Sequence, residues 1–363
     1  VFLNVIFIIY LSIDIVSVTS KLIASSANKN TAVVASSKLC DTCLKPSVYF
    51  ILMDEYFGSI GLKDYFNYNN SGFENQLRQK GFTVITNSRS NYHFTIYSMS
   101  SILNMDYIND LGEQTVYNQY GYYKAMLGIR QNEVCRIFED KGYEIVNYSD
   151  FDIERHPAGL GYNLLPSQRS LISNRNMYYQ VKKNLPYFLA HDAKIARFAN
   201  DLDSRNIWIN ELRLSKTLKD AIQMKQPVFS YLHLNMPHVP YAYDSSGNNV
   251  LNKWYGNLSQ QQRDSMYLQY LVYTNKRIIS FVDSLQRVTN NKSVIILASD
   301  HGYRNAYVKK FVLAYQNFFA IYEPVAHKSF QRDSITSVNT FRLLFNDLFN
   351  KQYPLLKDSL VIK

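Results

Sequence analysis

Carboxylates, imidazoles and one hydroxyl recur in this sequence where apolar runs end. The clearest case is Ser299–Arg304, SDHGYR, which follows Val294–Ala298, an apolar, β-branched-rich run that reads as a buried strand. An acid and an imidazole side by side at a strand's C-terminal end, with a glycine after them, suit a metal-binding corner. Open α/β sheets place their chemistry at that end of their strands. Taken alone, the pair is also what a surface cap looks like. Two further strand ends give it weight. The run Val48–Met53 stops at Asp54 and Glu55, acids that are costly to bury without a compensating positive group. The run Pro227–Leu232 opens into His233 and His238, in a loop stiffened by Pro237 and Pro240. Thr95 adds a hydroxyl in a stretch where a loop passes into a helix, with free N–H groups and the helix dipole to favour an anion. A simple N-cap is its alternative role.

Carboxylates, an imidazole and a hydroxyl together suit Zn²⁺ or Mn²⁺ best, with Mg²⁺ and Ca²⁺ as alternatives. Such an ion would neutralise buried acids and make a weak hydroxyl nucleophile usable. His238 would then donate to a non-bridging oxygen as charge develops on a transferring group.

These residues need a scaffold. Strand Val48–Met53, a helix around Phe73–Lys80 and a second strand Gly81–Ile85 predict a right-handed crossover and a parallel sheet. Residues 108–225 read as mainly helical, with a strand at Tyr143–Asn147 running into the acidic turn Ser149–Asp152. Arg155 and His156 are candidates to line a cleft, and Trp208, Leu212, Ser215 and Ile222 share a helical face expected to meet the core. A helix over Ser265–Gln286, a strand at Asn317–Tyr322 and a closing helix at Val338–Phe349 complete the reading. There is no internal repeat and no second globular domain.

Composition fits a globular chain long enough for one large domain: 363 residues, 47% hydrophobic, 19% charged, with 30 tyrosines and 21 phenylalanines. The excess of 39 basic over 29 acidic residues, +10, favours anionic partners such as phosphoesters, sulfoesters or anionic lipid surfaces. The lysines are scattered and no zinc-finger, RNP-like or basic-helix pattern occurs, so nucleic acid is not expected as a partner.

Residues 1–18 contain no Lys or Arg and would span roughly 27 Å as a helix, about a bilayer's hydrocarbon thickness. A transmembrane helix is expected there, with Asn4, Ser12 and Asp14 facing other helices. The chain does not begin with Met, so upstream membrane helices are expected as well. A signal peptide is disfavoured by the missing basic n-region, and a buried soluble helix is the other alternative. Residues 19–44 read as a polar linker carrying Cys40 and Cys43 in CxxC spacing, either a local disulfide or two free thiols. Cys135 is expected on an amphipathic helix, in the core.

The stretches ILMDEY, SNYHFTIYSMSSILNMDY, HLNMPHVPY and SDHGYR, in this order, resemble the alkaline phosphatase superfamily. They look most like its membrane-anchored sulfatase-like branch, which includes phosphoethanolamine transferases and lipoteichoic acid synthase. The resemblance covers roughly residues 45–350 and is most specific at SDHG. It implies a three-layer α/β/α sandwich around a largely parallel sheet over residues 45–363, preceded by a transmembrane helix, with the catalytic domain outside the cytoplasm, in the periplasm or at the cell surface. By position it implies Asp54, Thr95, Asp300 and His301 as metal ligands, Thr95 also as nucleophile, and His238 as the residue that contacts the transferred group. The implied chemistry is in-line displacement at phosphorus or sulfur through a covalent intermediate.

Departures refine that expectation. True sulfatases carry Cys or Ser in a C/S-x-P-x-R context, and nothing like it surrounds Thr95. Lipoteichoic acid synthases have Lys before their threonine, where this chain has Phe94, so a cationic helper must come from elsewhere, with Arg304 or His93 as candidates. Glu55 would take the acid's place if the strand end shifted by one residue. The expected activity is metal-dependent phosphoryl transfer or hydrolysis on a phospholipid or cell-envelope phosphodiester. A sulfuric ester hydrolase and a catalytically silent envelope-binding domain are the alternatives.

Overall fold

The strand Val48–Met53 (β1) is buried at all six positions, because both faces of the sheet it centres are covered. The computed structural model describes residues 45–109, 116–158, 196–225, 227–251, 258–308, 311–325 and 328–362. The expected membrane span, the linker and the Cys40–Cys43 pair lie outside the described residues. Among those described, no helix is long and apolar enough to cross a membrane.

Five more strands join β1: Thr83–Val84 (β2), Glu144–Tyr148 (β4), Val228–Leu234 (β5), Val294–Ala298 (β6) and Phe319–Tyr322 (β7), in the order β2-β7-β6-β1-β5-β4. β5 and β6 flank β1 in parallel, β4 extends the sheet in parallel beyond β5, and β7 runs antiparallel to β6. The sheet is thus largely parallel, as expected. The second strand departs from expectation. Only two residues of the Gly81–Ile85 run pair, and they do so antiparallel to β7 at the far edge. The chain leaves at once for Asn87–Arg89 (β3), which pairs with Ser334–Thr336 (β8) in a separate two-stranded ribbon.

Side chains alternate between the two faces with the strand period of two. Val48, Phe50 and Leu52 of β1 pack with the helices Thr95–Asn104 (α3), Gln119–Arg130 (α4), Glu133–Asp140 (α5) and Thr340–Phe349 (α8). Tyr49, Ile51 and Met53 pack with Ser59–Phe66 (α1), Ser71–Gln79 (α2), Ala196–Gln223 (α6) and Gln260–Val288 (α7). This is the three-layer α/β/α sandwich. Phe138 of α5 stacks on Phe229 at 4.3 Å and meets Phe341, Phe345 and Phe349 edge-on; each such buried ring contributes about 1.5–3 kcal/mol. Cys135 is buried on α5, as anticipated.

Helix α6 presents the opposite face from the one expected. Trp208 and Ile222 are 62% and 67% exposed and Ser215 is exposed, while Ile209, Asn210, Arg213, Leu214 and Thr217 are buried. A buried ion pair between Arg213 and Asp150 fixes this orientation, since breaking it would leave a charge unpaired in the interior. Arg155 and His156 also differ from expectation: they are tied to Glu139 of α5, at 2.5 and 2.7 Å, and do not join the other candidate residues.

Candidate active site

Asp54 continues the β1–β5 ladder one step past the strand, its amide donating to the Leu234 carbonyl at 2.9 Å. Its side chain therefore emerges at the C-terminal edge of the sheet, almost fully buried. Oδ2 lies 3.1 Å from His233 Nε2, and Oδ1 has no hydrogen-bond partner among the described residues. Burial alone would raise the Asp54 pKa. Positive charge on His238, the His233 hydrogen bond and positive charge on His233 and His301, in the states where those rings are protonated, outweigh it and hold the carboxyl well below the usual carboxylate range.

Ser299 locks the turn that delivers the next two residues. Its hydroxyl donates to the Tyr56 carbonyl at 2.7 Å and accepts from the Phe318 amide at 2.9 Å. Asp300 and His301 are then wholly buried. Asp300 Oδ1 accepts the Glu55 amide at 3.1 Å, leaving Oδ2 without a hydrogen bond and 3.2 Å from His301 Nε2. The Nδ1 atom of His301 sits 2.8 Å from the Gly302 carbonyl, which can only accept, so Nδ1 carries the proton. In the neutral ring, Nε2 faces the cluster with its lone pair.

Thr95 is the first residue of α3. Phe94 occupies the N-cap in an extended conformation and provides no side-chain cap. The threonine is thus not the cap; its Oγ1 approaches His301 Nε2 at 3.4 Å. The serines around it are structural. Ser90 and Ser98 both donate to the Tyr92 carbonyl, at 2.7 and 2.8 Å, and so set the loop before the helix.

Asp54, Asp300 and His301 thus each direct a ligand atom into one spot, these atoms lying within 4.8 Å of one another. Two buried carboxylate oxygens without hydrogen bonds are costly to maintain unless a cation meets them. A lone-pair nitrogen and a hydroxyl beside them complete a donor set suited to a divalent ion.

On the open side stands Arg304. Its amide donates to Glu55 Oε1 at 2.9 Å, its Nε lies 3.5 Å from the same oxygen, and its Nη2 donates to His238 Nε2. Glu55 holds this clamp from a left-handed backbone, φ 60°, with its carbonyl accepting the Tyr267 hydroxyl at 2.9 Å. The Nδ1 atom of His238 donates to the Val239 carbonyl at 2.6 Å, so in this arrangement Nε2 accepts. Of the two candidate cationic helpers, His93 is the poorer cation: burial, with any charge on His301 and that of Arg304, pushes it down to about 4. Arg304 is the cation beside the cluster.

His233 was expected just beyond a strand. It lies within β5, fully buried, and two acids beyond Asp54 act on it: burial pushes its pKa down, but Asp54, Asp150 and Asp300 raise it further. Its carbonyl accepts from Arg213, the partner of Asp150. Arg213 gives no signal in sequence, being one basic residue among several on a long helix. Asn317 is likewise silent, yet it donates to the Ser299 carbonyl at 2.6 Å and to Ser337 Oγ at 2.9 Å, and accepts from Ser88 at 2.7 Å.

A three-layer sandwich with an acid and an Asp-His pair at its strand ends and a threonine at a helix start beside them is an alkaline phosphatase-like domain. The chain belongs to the sulfatase family, whose model, described as "Sulfatase", matches residues 46–317. No curated protein matches the sequence. Among solved structures, a Bacteroides thetaiotaomicron protein from a locus for metabolism of multiple glycosaminoglycans is similar at 12% identity and TM-score 0.50, over 84% of this chain and 72% of that one. The C-terminal periplasmic domain of EcEptC from Escherichia coli, in complex with Zn, is similar at 12% identity and TM-score 0.49, over 87% and 88%. The soluble domain of lipooligosaccharide phosphoethanolamine transferase A from Neisseria meningitidis is similar at 14% identity and TM-score 0.46, over 84% and 88%. At such identities the first likeness bears on fold alone.

Proposed function

We propose that this protein is a metal-dependent phosphotransferase or phosphoesterase that uses Thr95 as nucleophile. The observation that carries the reading is the convergence of Thr95 Oγ1, His301 Nε2 and the unpartnered oxygens of Asp54 and Asp300 on one buried spot. These four residues would hold a divalent ion, Zn²⁺ or Mn²⁺ by donor type. When bound, the ion supplies positive charge that stabilises the deprotonated hydroxyl and the transferred group.

The remaining work falls to the chain itself. The N-terminus of α3 offers its free amides to the equatorial oxygens of a phosphoryl group. Arg304, steadied by Glu55, supplies a permanent positive charge at the open side, and His238, once released from Arg304 and protonated at Nε2, donates to the same oxygens. The bond from Oγ1 to phosphorus forms as the bond from phosphorus to the leaving oxygen breaks. The threonine's proton departs to solvent, and the leaving alkoxide takes one up. A sugar hydroxyl or water then bonds to phosphorus as the bond from phosphorus to Oγ1 breaks, its proton going to solvent and Thr95 Oγ1 taking one up; the choice of acceptor decides between transferase and hydrolase.

The substrate proposed is a phosphodiester of a phospholipid or cell-envelope glycan, met outside the cytoplasm by a domain tethered through residues 1–18. The family label favours sulfate ester hydrolysis as a second reading. The test uses the full chain in detergent: bound metal is measured, and aryl phosphodiester, phosphomonoester and sulfate ester cleavage is assayed in wild type and Thr95→Ala. We expect phosphodiester cleavage that falls about a thousandfold or more in the variant, and a phosphoryl adduct on Thr95 in the wild type. Sulfate cleavage surviving Thr95→Ala would overturn the assignment. Absence of both metal and activity would favour an envelope-binding domain.

A further inference from the structure

Beyond α8, residues 351–362 form no regular element, yet they follow a defined course along the nucleophile helix. Near the C-terminal end of α3, Arg342 donates its Nε to the Met105 carbonyl at 2.7 Å and its Nη1 to the Pro354 carbonyl at 2.8 Å. Asn339 exchanges two bonds with Leu356, at 2.9 and 3.0 Å. The Tyr107 hydroxyl donates to the Lys357 carbonyl at 2.7 Å and accepts the Ser359 amide at 3.0 Å. The segment then reaches the other end of α3. There the Asn91 side chain donates to the Ser359 carbonyl at 3.0 Å, and the Val361 amide donates to the Asn91 carbonyl at 2.9 Å.

The last contact reaches His93, two residues before Thr95, through two tyrosines. The Val361 carbonyl accepts the hydroxyls of Tyr117 and Tyr315, both at 2.8 Å. With both hydroxyl protons committed there, the phenol oxygens accept from His93 Nδ1, at 3.1 and 2.9 Å. One backbone carbonyl thereby fixes the ring orientation of a residue two positions before Thr95. The segment's own side chains stay largely in solvent, Leu355 and Ile362 being 43% exposed. It is held by polar bonds to residues that flank α3, to the start of α8 and to Tyr117 and Tyr315, with little apolar burial, so it adds little to global stability.

We propose that residues 354–362 are a positioning strap that holds both ends of α3 and, through Val361, Tyr117 and Tyr315, orders the loop Ser90–Phe94 that presents Thr95. The proposal rests on Thr95 as the working residue only for its catalytic consequence; ordering of the loop is measurable without it.

The test compares wild type with a chain ending at Tyr353 and with the double variant Tyr117→Phe, Tyr315→Phe. Hydrogen exchange of the amides of residues 90–95, thermal midpoint, and kcat and KM on an aryl phosphodiester are measured for each. Loop exchange is expected to quicken about tenfold or more in both variants, with kcat falling about tenfold, KM nearly unchanged and the thermal midpoint little moved. A peptide of residues 354–363 added to the shortened chain is expected to restore loop protection and rate together. Unchanged loop exchange in both variants would overturn the strap. So would a rate loss that follows a lowered thermal midpoint and ignores the peptide. A loosened loop with activity that survives Thr95→Ala would uphold the strap and remove the nucleophile.

Discussion

Glu55 donates its backbone amide to Asp300 Oδ1 at 3.1 Å, joining the ends of two neighbouring parallel strands across 245 positions of sequence. The bond assigns the two carboxylate oxygens different work: one receives the amide, the other is left for a cation. In Asp300→Asn the amide oxygen takes the Glu55 bond, so the NH₂ group points at the ion. Metal affinity is expected to fall about a hundredfold or more, read by titration with Zn²⁺ or Mn²⁺. Without metal, this variant is expected to be at least as stable as the wild type, because a buried uncompensated charge has gone. A metal-free Asp300→Asn that melts well below metal-free wild type would contradict the cation reading.

Metal removal from the wild type should have the converse effect. A ligand present at about a hundred times its Kd stabilises the folded state by about 2.7 kcal/mol. A chelator is therefore expected to lower the thermal midpoint, and added divalent ion to restore it.

Arg304 is held as a fork, with Nε toward Glu55 and Nη2 on His238. A lysine ammonium cannot serve both at once. Arg304→Lys and Arg304→Ala are accordingly expected to lower kcat/KM by similar factors, about ten- to a hundredfold, in steady-state assays. Full activity in the lysine variant would show that charge alone suffices.

Gly302 follows His301 in a space without room for a methyl group. A Cβ there would lie 2.4 Å from the Gln316 carbonyl oxygen and 2.9 Å from that of Leu313. Both are backbone atoms and cannot swing aside. Gly302→Ala is expected to cost about 1–3 kcal/mol in chemical unfolding and to weaken metal binding by displacing Asp300 and His301.

Burial pushes the Cys135 thiol up to about 12, and Tyr92 to the same value for the same reason. An unfolded chain loses the thiol proton from about pH 8.5 and the phenol proton from about pH 10, while the folded chain keeps both. The unfolded state then binds fewer protons, so stability falls as pH rises through this window and is unaffected by these groups below it. Thiol reagents at neutral pH are expected to modify Cys135 only after denaturation.

Much of this site can be read in the residues themselves. Val48–Met53 and Val294–Ala298 are short apolar runs flanked by polar residues, and the ligand types fall at their ends because that is where a parallel sheet opens to solvent. What could not be read depends on distant partners. The pairing of β2 with β7 turns on two residues meeting a strand more than 200 positions away. The inward face of α6 depends on Arg213 finding Asp150, and Asn317 gains its role only where three segments converge. Local pattern carries periodicity and residue type; it does not carry the address of a hydrogen-bond partner.

β1 is the first strand of the described chain and also the sheet's centre, hydrogen-bonded on one side to residues 229–234 and on the other to residues 294–298. A chain made from its N-terminus therefore exposes this six-residue apolar strand while nearly two hundred further residues are added, and leaves its second edge open until Ala298 emerges. Contacts of such long range form slowly, and an unpaired apolar edge recruits other chains. The same central placement that brings Asp54 to Asp300 makes the nascent protein dependent on being shielded from its neighbours until the sixth strand arrives.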